Sequence, residues 1–381
     1  MTVLHSIAQL GQSIWLDNIS RGMIKNGELH RMVEQGLLGV TSNPSIFEKS
    51  ITGSSDYDEQ IRQLVEKDPN IDSGDLIQEL MIEDIRAACD ILRPVYDKTG
   101  GADGFVSIEV TPRKAHDTEA TVDEVRLLWD RIERPNLMVK IPATDEGLPA
   151  IEQMIYEGKN INVTLIFSVE RYKQVADAYI SGIEKRVREE KPADHIASVA
   201  SVFVSRIDTL VDSLLEKKVN EVPEDLEKEQ YQNLMGLAAV ANSKLVYQAY
   251  KEKFTDNRFV RLTDKNAKVQ RPLWGSTSTK NPAYDDLKYV SSLIGADTVN
   301  TVPPNTYQAI LEKAKPKKTI EEGVGKAYEQ IEELEKAGID MDWVMKKLEN
   351  DGVAAFEKSF DGLYEKLEQK KKEFAGSSVQ P

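Results

Sequence analysis

The segment Asn136-Leu-Met-Val-Lys-Ile-Pro-Ala143 places a lysine inside a short apolar run that has the composition of a β-strand. Alternate side chains of a strand point to opposite faces, so the leucine, valine and isoleucine share one face and Lys140 lies on the other. Lysine is rarely buried, so an exposed lysine at the end of a strand is the simpler interpretation. A lysine amine that is taken out of water, however, gives up its proton more easily and can attack a carbonyl carbon to form an imine. The rest of the chain decides between these two interpretations.

Short apolar runs recur along the chain and alternate with amphipathic helical patterns, for example over residues 121–132 and 168–179. Eight of the runs are predicted strands, at residues 13–17, 37–41, 104–110, 136–141, 160–167, 196–204, 270–276 and 296–301. Eight alternations of strand and helix are typical of a parallel (β/α)₈ TIM barrel, with an open doubly wound sheet as the alternative. No G-x-G-x-x-G or P-loop motif follows the first strand, which counts against a dinucleotide-binding fold.

The same patterns predict the domain organisation. Residues 1–316 are predicted to form the catalytic barrel, with room for extra helices in two long connections, 44–103 and 205–269. Residues 317–374 are predicted to form a helical C-terminal extension packed on the barrel, with Gly338 and Gly352 as breaks in the helical pattern. The last residues, 375–381, are predicted to be a disordered tail.

Charge and composition exclude several classes of partner. The chain has 49 basic and 64 acidic residues and a net charge of -15, which argues against nucleic acid or an anionic membrane as a partner. There is no signal-peptide pattern and no apolar run long enough to span a bilayer, so a cytoplasmic location is expected. The single cysteine, Cys89, is predicted to lie in a helix core, and the four histidines lack the spacing of metal ligands. We therefore expect no metal and no cofactor.

Polar side chains occur near the carboxyl ends of several predicted strands, always on one face. In addition to Lys140, the alternation of the strands separates the following residues from their apolar neighbours: Asp17, Glu109, Asn162, Thr164 and Ser201. In a parallel barrel the carboxyl ends of the strands meet at one mouth, where barrel enzymes hold their active sites. One such residue is easily structural, but five strands that each offer one predict a site.

The residue types point to imine chemistry on a sugar. Lys140 is the amine nucleophile, Glu109 can move protons while an imine forms, and Asp17 can take a hydroxyl proton during carbon–carbon cleavage. Neutral hydrogen-bonding groups suit sugar hydroxyls because no charge has to be desolvated. The candidates for that role are Asn43, Asn162, Thr164 and Ser201.

Most of these residues also have a structural interpretation. Asp17 and Ser42 are alternatively helix N-caps, since both residue types are common there. Asn43, which precedes Pro44, is alternatively a turn residue, and Ser201 is alternatively a hydroxyl in the core.

An anion site is predicted beside the lysine. Arg206 follows the sixth strand, and the segment Trp274-Gly-Ser-Thr-Ser-Thr-Lys-Asn-Pro282 follows the seventh. This segment offers backbone N–H groups, hydroxyls and Lys280 just ahead of a predicted helix. In barrels, the loops after the seventh and eighth strands commonly bind phosphate with the help of a helix N-terminus. A Ser/Thr-rich capping loop with a solvated lysine is the structural alternative.

Six motifs, in chain order, carry a resemblance to a known family: Leu16-Asp17, Val40-Thr-Ser-Asn-Pro-Ser45, Val106-Ser-Ile-Glu-Val110, Val139-Lys-Ile-Pro142, Asn162-Val-Thr-Leu-Ile-Phe-Ser168 and Ser201-Val-Phe-Val-Ser-Arg206. In this order and spacing they resemble the successive motifs of the transaldolase family, and the resemblance runs to about residue 310. The tail, with Gly338-Ile-Asp340 and Gly352-Val-Ala-Ala-Phe356, is similar to the longer bacterial branch.

The resemblance implies a metal-free enzyme of the pentose phosphate pathway. Such an enzyme reversibly transfers a dihydroxyacetone unit from sedoheptulose 7-phosphate to glyceraldehyde 3-phosphate, giving erythrose 4-phosphate and fructose 6-phosphate. The expected partners are therefore small sugar phosphates, with no nucleic acid and no membrane, and the enzyme is expected to be a monomer or a homodimer.

The resemblance also implies a role for each site residue. Lys140 forms the Schiff base, Glu109 acts as acid and base through a water, and Asp17 assists cleavage at the C4 hydroxyl. Four residues hold the water and the three-carbon unit: Asn43, Asn162, Thr164 and Ser201. Three residues bind the phosphate: Arg206, Ser276 and Lys280. Family members often have a serine and an arginine shortly after the glycine of the seventh strand, so Ser276 and Lys280 are assigned here in their place.

Two other functions remain open. The related fructose-6-phosphate aldolase branch typically has glutamine at the position of Glu109 and tyrosine at the position of Phe203. This chain has the glutamate and the phenylalanine instead. Transfer is therefore favoured over simple aldol release, with a class I aldolase as the alternative. The other open function is that of a sugar-phosphate-binding barrel without catalytic activity. Such a protein would bind a ligand without forming an imine.

Overall fold

Eight parallel strands close into a barrel in the computed structural model, which describes residues 2–377. The strands are β1 (Gln12–Asp17), β2 (Gly39–Thr41), β3 (Phe105–Glu109), β4 (Leu137–Pro142), β5 (Ile161–Ile166), β6 (Ser198–Phe203), β7 (Arg271–Gly275) and β8 (Thr298–Val302). Each strand pairs with the next along the chain, and β8 pairs with β1. The predicted (β/α)₈ barrel is confirmed, and all eight predicted strands are present with ends that differ by at most two residues.

Helices follow the strands and fill the two long connections. The helices before β4 are α1 (Val3–Gln9), α2 (Arg21–Lys25), α3 (Glu28–Glu34), α4 (Pro44–Thr52), α5 (Asp58–Lys67), α6 (Ser73–Lys98) and α7 (Thr118–Ile132). Those between β4 and β8 are α8 (Gly147–Glu157), α9 (Val169–Arg188), α10 (Ser205–Glu221), α11 (Asp225–Leu234), α12 (Ala238–Thr255), α13 (Asn257–Thr263) and α14 (Lys288–Ser292). After β8 come α15 (Pro304–Lys313), α16 (Val324–Lys336) and α17 (Met341–Ser377). Cys89 is buried in α6, as predicted.

Short polar residues start several of the helices that follow strands. Ser20, Asn43 and Ser168 each accept a backbone N–H bond with their side chain at the start of α2, α4 and α9. Pro44 occupies the first position of α4, where its fixed φ angle suits a helix and its missing N–H is not needed. These caps turn the chain close to the end of each strand, so the last residues of the strand stay at the mouth of the barrel.

An apolar layer fills the barrel below the mouth. Its side chains are Trp15, Phe105, Met138, Ala197, Val199, Leu273 and Val299. Trp15 and Met138 precede Asp17 and Lys140 by two residues, so they lie on the same strand face, one layer lower. Glycine at position 39 makes room for this layer, because a Cβ atom there would lie 2.5 Å from the ring of Trp15. The polar residues at the mouth therefore stand on a dry, close-packed floor.

The C-terminal extension consists of α16, which packs on α12, and α17, which packs on α4, α5, α6 and α10. Gly338 breaks the helical pattern as predicted, in a left-handed conformation with φ of 77° after the end of α16. The break predicted at Gly352 is wrong, because this residue lies inside α17. A Cβ atom at 352 would lie 2.8 Å from Cδ2 of Leu165 on β5, so the glycine permits a close approach and does not end a helix.

The predicted tail, residues 375–381, lies mostly beyond the described residues 2–377. Residues 375–377 belong to the last turn of α17, and residues 378–381 lie outside the described residues. Among the helices within residues 2–377, none has the length and apolar composition needed to cross a membrane.

Candidate active site

The carboxyl ends of the strands open into a cavity of about 150 Å³ at the mouth of the barrel. Eight of the ten residues predicted from the sequence line it: Asp17, Asn43, Lys140, Thr164, Ser201, Arg206, Ser276 and Lys280. The other two lie directly behind this wall, since Glu109 contacts Lys140 and Asn162 contacts Ser201. The fold therefore brings all ten together, although they are spread over more than 260 residues of the chain.

Lys140 and Glu109 form an ion pair inside the barrel. The two are register partners on β4 and β3, and Lys140 Nζ lies 3.0 Å from Glu109 Oε2. Nζ also donates to the carbonyl oxygen of Ser42, at 3.0 Å. Only 4% of Lys140 and 5% of Glu109 is exposed, so the sequence interpretation of an exposed strand-end lysine is wrong. Burying two charges is costly even when they are paired, which makes a purely structural role a poor explanation.

Burial also changes the acid strength of Glu109. Loss of hydration raises the pKa of this carboxyl, the positive charge of Lys140 opposes the rise, and the charge of Asp17 adds to it. A carboxyl with a raised pKa, next to an amine, is suited to exchanging protons with it near neutral pH.

Two buried polar atoms beside the pair have no hydrogen-bond partner among the described residues. One is Glu109 Oε1, since it is the other carboxylate oxygen, Oε2, that accepts from Lys140. The second is the hydroxyl oxygen of Thr164. Buried polar groups in proteins nearly always bond to protein or to ordered water, so an unsatisfied hydroxyl in the cavity wall and an unsatisfied carboxylate oxygen behind it point to a position for water or substrate.

Asn162 is held in one orientation by its neighbours. Its Oδ1 accepts from the hydroxyl of Ser201 at 2.6 Å, and its Nδ2 donates to Oγ of Ser107 at 3.0 Å. Asn162 is the register partner of Lys140 on the adjacent strand. Ser201 is therefore more than a core hydroxyl, because it fixes the amide beside the lysine and also lines the cavity.

Asp17 is the second acid at the mouth, and it is partly buried. Burial raises its pKa, while the charge of Lys140 and a hydrogen bond from Thr41 lower it. Thr41 donates to Asp17 Oδ1 at 2.8 Å, and Thr301 lies 2.7 Å from the same Thr41 hydroxyl. Since the single proton of that hydroxyl goes to Asp17, Thr301 must donate to Thr41. Both threonines line the cavity.

The sequence prediction missed Thr41 and Thr301, although the alternation along β2 and β8 puts both on the mouth face. The helix-cap interpretation of Asp17 is wrong, because Ser20 caps α2. The same interpretation of Ser42 is also wrong, since its hydroxyl donates to the carbonyl oxygen of Ser107. Asn43 combines both interpretations, because its Oδ1 caps α4 while the residue lines the cavity.

Arg206 presents a guanidinium group without a partner at the cavity wall. The residue lies in the first turn of α10 and stacks over the ring of Phe203, 5.1 Å from its centroid. Within residues 2–377, its guanidinium makes no hydrogen bond and no ion pair. Burial lowers the pKa of Arg206, and the charges of Glu109 and Asp17 oppose that change. An unpaired, half-buried arginine that faces a cavity is suited to binding an anion.

The segment after β7 contributes two more polar groups. Ser276 adopts a left-handed conformation with φ of 53°, and its hydroxyl lies 2.9 Å from that of Ser205. Lys280 is exposed and donates to the hydroxyl of Ser278 at 2.8 Å.

The helix expected directly after this segment is displaced. The five-residue α14 begins only at Lys288, so it cannot help to bind an anion beside Lys280. The helix that starts at the cavity is α10, which carries Arg206 and has no side-chain cap on its first N–H groups. A metal-binding group of three or more histidine, cysteine or acidic side chains does not occur within the described range, 2–377.

Asp17→Asn should stabilise the protein more at pH 8 than at pH 4. The asparagine keeps the oxygen that accepts from Thr41 but removes a buried charge. Because folding raises the pKa of Asp17, the wild type loses stability as the pH rises above the unfolded value of about 4. Thermal unfolding followed by circular dichroism at both pH values measures the difference.

Asp72→Asn is the matched control, with the opposite sign. Hydrogen bonds from Tyr364 and from the N–H of Gly74 lower the pKa of Asp72, so its charge stabilises the fold at pH 8. We expect this variant to be less stable than the wild type at pH 8, and the difference to disappear only as the pH falls below the unfolded value of about 4. A lower melting temperature of Asp17→Asn at pH 8 would contradict the assignment of Asp17 as a destabilising buried charge.

Sequence comparisons agree with this geometry. The family described as Transaldolase/Fructose-6-phosphate aldolase matches residues 14–367. The chain is 45% identical over 372 residues to Transaldolase from Trichodesmium erythraeum, covering 97% of each chain. It is 48% identical to Transaldolase 2 from Nostoc punctiforme and 46% identical to Transaldolase from Saccharopolyspora erythraea, in each case over 96% of this chain and 97% of the relative. The chain therefore belongs to the transaldolase/fructose-6-phosphate aldolase family, in its transaldolase branch, whose enzymes are transferases.

Proposed function

We propose that the protein transfers a dihydroxyacetone unit between sugar phosphates through a Schiff base on Lys140. The proposed donor and acceptor are sedoheptulose 7-phosphate and glyceraldehyde 3-phosphate, and the products are erythrose 4-phosphate and fructose 6-phosphate. The observation that carries the proposal is the buried ion pair of Lys140 and Glu109 at the floor of a cavity lined by hydroxyl, amide and cationic groups. A strand interior offers no other reason to bury an amine.

The first step is formation of the imine. Glu109 takes a proton from the amine of Lys140, which then attacks the ketose carbonyl, and water must leave from the resulting carbinolamine. That loss of water needs a proton delivered to the departing oxygen. A water between Glu109 Oε1 and the hydroxyl of Thr164, the two unsatisfied atoms, would carry protons in both directions.

The second step is cleavage of the bond between C3 and C4. Asp17 takes the proton of the C4 hydroxyl, the C3–C4 electrons move towards the protonated imine, and an aldose phosphate leaves. The three-carbon fragment stays on Lys140 as an enamine and can attack a second aldehyde by the reverse route. The raised pKa of Asp17 suits a group that must accept a proton and then return it.

Neutral groups hold the three-carbon fragment. Asn162 has a fixed amide orientation, and Ser201 and Asn43 line the same wall. Hydrogen bonds to sugar hydroxyls from such groups require no ionic desolvation, so they fix the orientation of the fragment while leaving the charges to the reacting atoms.

The phosphate is bound at the far side of the cavity. The unpaired guanidinium of Arg206 offers two parallel N–H groups, and Ser276 and Lys280 lie on the neighbouring segment. The α10 N-terminus adds a favourable dipole for negative charge.

An assay of transfer tests this function directly. The protein is incubated with sedoheptulose 7-phosphate and glyceraldehyde 3-phosphate, and the formation of fructose 6-phosphate and erythrose 4-phosphate is followed. We expect transfer to be much faster than the release of free dihydroxyacetone from fructose 6-phosphate alone. Equal rates of transfer and release would instead support a class I aldolase, and binding without turnover would support a barrel that only binds sugar phosphates.

Arg206→Ala should impair the use of fructose 6-phosphate and leave the poor use of unphosphorylated fructose nearly unchanged. A charge-assisted contact of this kind contributes about 1.5 to 3 kcal/mol, roughly one to two decades in binding. Lys280→Ala should show the same selectivity with a smaller loss, because an exposed lysine is a flexible and well-solvated charge.

The control is Arg93→Ala, which removes an exposed arginine that is paired with Asp97 on α6, away from the cavity. It should affect neither substrate. The phosphate assignment fails if Arg206→Ala lowers kcat/KM for both sugars by the same factor, since such a loss would reflect folding or chemistry.

A further inference from the structure

The C-terminal helix α17 is fixed across the mouth of the barrel. The hydroxyl of Ser359 lies 2.7 Å from that of Ser45 on α4, and Asp361 pairs with Arg113 at 2.6 Å, after β3. Exposed contacts of this kind are individually weak. Buried apolar side chains of the same helix, such as Leu363 and Leu367, provide the larger part of the attachment.

A second contact seats the helix on β5, next to the candidate catalytic residues. Leu165 has a left-handed backbone with φ of 60°, at a point where the pairing of β5 with β6 shifts register. Such a conformation is uncommon for leucine and needs support from its surroundings. Gly352 supplies that support, because only a residue without a Cβ atom fits against Cδ2 of Leu165. The irregular strand and the glycine are therefore complementary, and they let α17 pack against β5 at the residue that follows Thr164.

Phe356 lies one turn after Gly352, on the same face of α17. Its side chain lines the cavity, and the centroid of its ring lies 5.9 Å from Lys140 Nζ. Only 5% of Phe356 is exposed. Among residues 2–377, Phe356 is the one cavity-lining residue that comes from the chain after Pro303. An apolar ring from a distant part of the chain thus lies in the cavity wall close to the amine.

We propose that Phe356 is a specificity-determining residue that keeps water from the three-carbon fragment on Lys140, so that the fragment is passed to an aldehyde and not released. This inference rests on the proposed function. Three observations carry it: the 5.9 Å between the ring and the amine, the burial of the ring in the cavity wall, and the attachment of α17 to α4 and to β5.

The two fates of the fragment differ in what they need. In transfer, the enamine carbon forms a bond to the aldehyde carbon, the aldehyde oxygen gains a proton, and the new imine is hydrolysed by water, which frees the ketose phosphate and the amine of Lys140. In release, the enamine carbon is protonated to give an imine, and water then adds to the C=N carbon. The C–N bond breaks, and dihydroxyacetone leaves while Lys140 regains its amine. Both routes therefore consume one water, and they differ in whether the enamine carbon takes a proton or bonds to the aldehyde carbon. An apolar ring that keeps proton-donating water from the fragment selects against the protonation that leads to release.

Phe356 also contributes to packing, and a test must separate the two effects. Truncation of a buried phenylalanine leaves a cavity and lowers stability even where the residue has no part in catalysis. Leu367→Ala is the matched control, because Leu367 is fully buried on the same helix but does not line the cavity. Phe356→Leu is a second test variant that retains part of the apolar cover and lowers the stability of the fold less.

The experiment compares two rates for each variant, with fructose 6-phosphate as donor. Transfer is measured with erythrose 4-phosphate as acceptor, and release is measured as glyceraldehyde 3-phosphate formed without an acceptor. We expect Phe356→Ala to raise the ratio of release to transfer about ten-fold, which corresponds to about 1.4 kcal/mol between the two barriers. Phe356→Leu should raise it less, and Leu367→Ala should leave it unchanged while lowering the melting temperature.

The outcomes are distinguishable. An unchanged ratio in Phe356→Leu and in Phe356→Ala overturns the inference, as does an equal rise in Leu367→Ala. If Phe356→Ala does not fold, Phe356→Leu carries the test alone. If the wild type transfers and the Phe356 variants have an unchanged ratio of release to transfer, only the inference is refuted. If the wild type shows no transfer, the proposed function is refuted, and the inference with it.

Discussion

The buried ion pair between Lys140 and Glu109 is the interaction on which the rest of the site depends. Two opposite charges at 3.0 Å in a dry interior attract strongly, but both have lost their hydration, and the net effect on stability is small or unfavourable. The pair is tolerated because the register of β3 and β4 places it and because the carbonyl oxygen of Ser42 accepts a further hydrogen bond from Lys140 Nζ. What it supplies is a reactive amine beside a proton acceptor.

The barrel makes that arrangement possible in two layers. The lower layer is apolar and excludes water from below, and the upper layer carries the polar groups on the same strand faces. Hydrogen bonds then fix the polar groups. Thr301 bonds to Thr41, which donates to Asp17, and the amide of Asn162 bonds to Ser201 and Ser107. Within residues 2–377, Glu109 Oε1 and the Thr164 hydroxyl are buried without a hydrogen-bond partner and the Arg206 guanidinium has no ion pair, and these are the positions where a substrate or water belongs.

Strand alternation explains why so much of the site could be predicted from the sequence. A polar residue near the carboxyl end of a strand, on the face opposite its apolar neighbours, must face the mouth, and this rule found Lys140, Glu109 and Asn162. Applied to β2 and β8 it would also have found Thr41 and Thr301. Other features depend on contacts between distant segments, which no local pattern encodes. Gly352 was predicted to break a helix because its contact with Leu165 is invisible in the sequence, and Phe356 looks like any apolar residue of an amphipathic helix.

The central claim is that Lys140 forms a covalent imine, and its most direct test is chemical trapping. The wild-type protein is mixed with fructose 6-phosphate, reduced with borohydride, digested, and mapped by mass spectrometry. We expect a three-carbon adduct on Lys140, because that amine alone lies beside Glu109 at the floor of the cavity. An adduct on another lysine, with Lys280 as the nearest competitor in the cavity wall, or a protein that turns over substrate and traps nothing, would contradict the account.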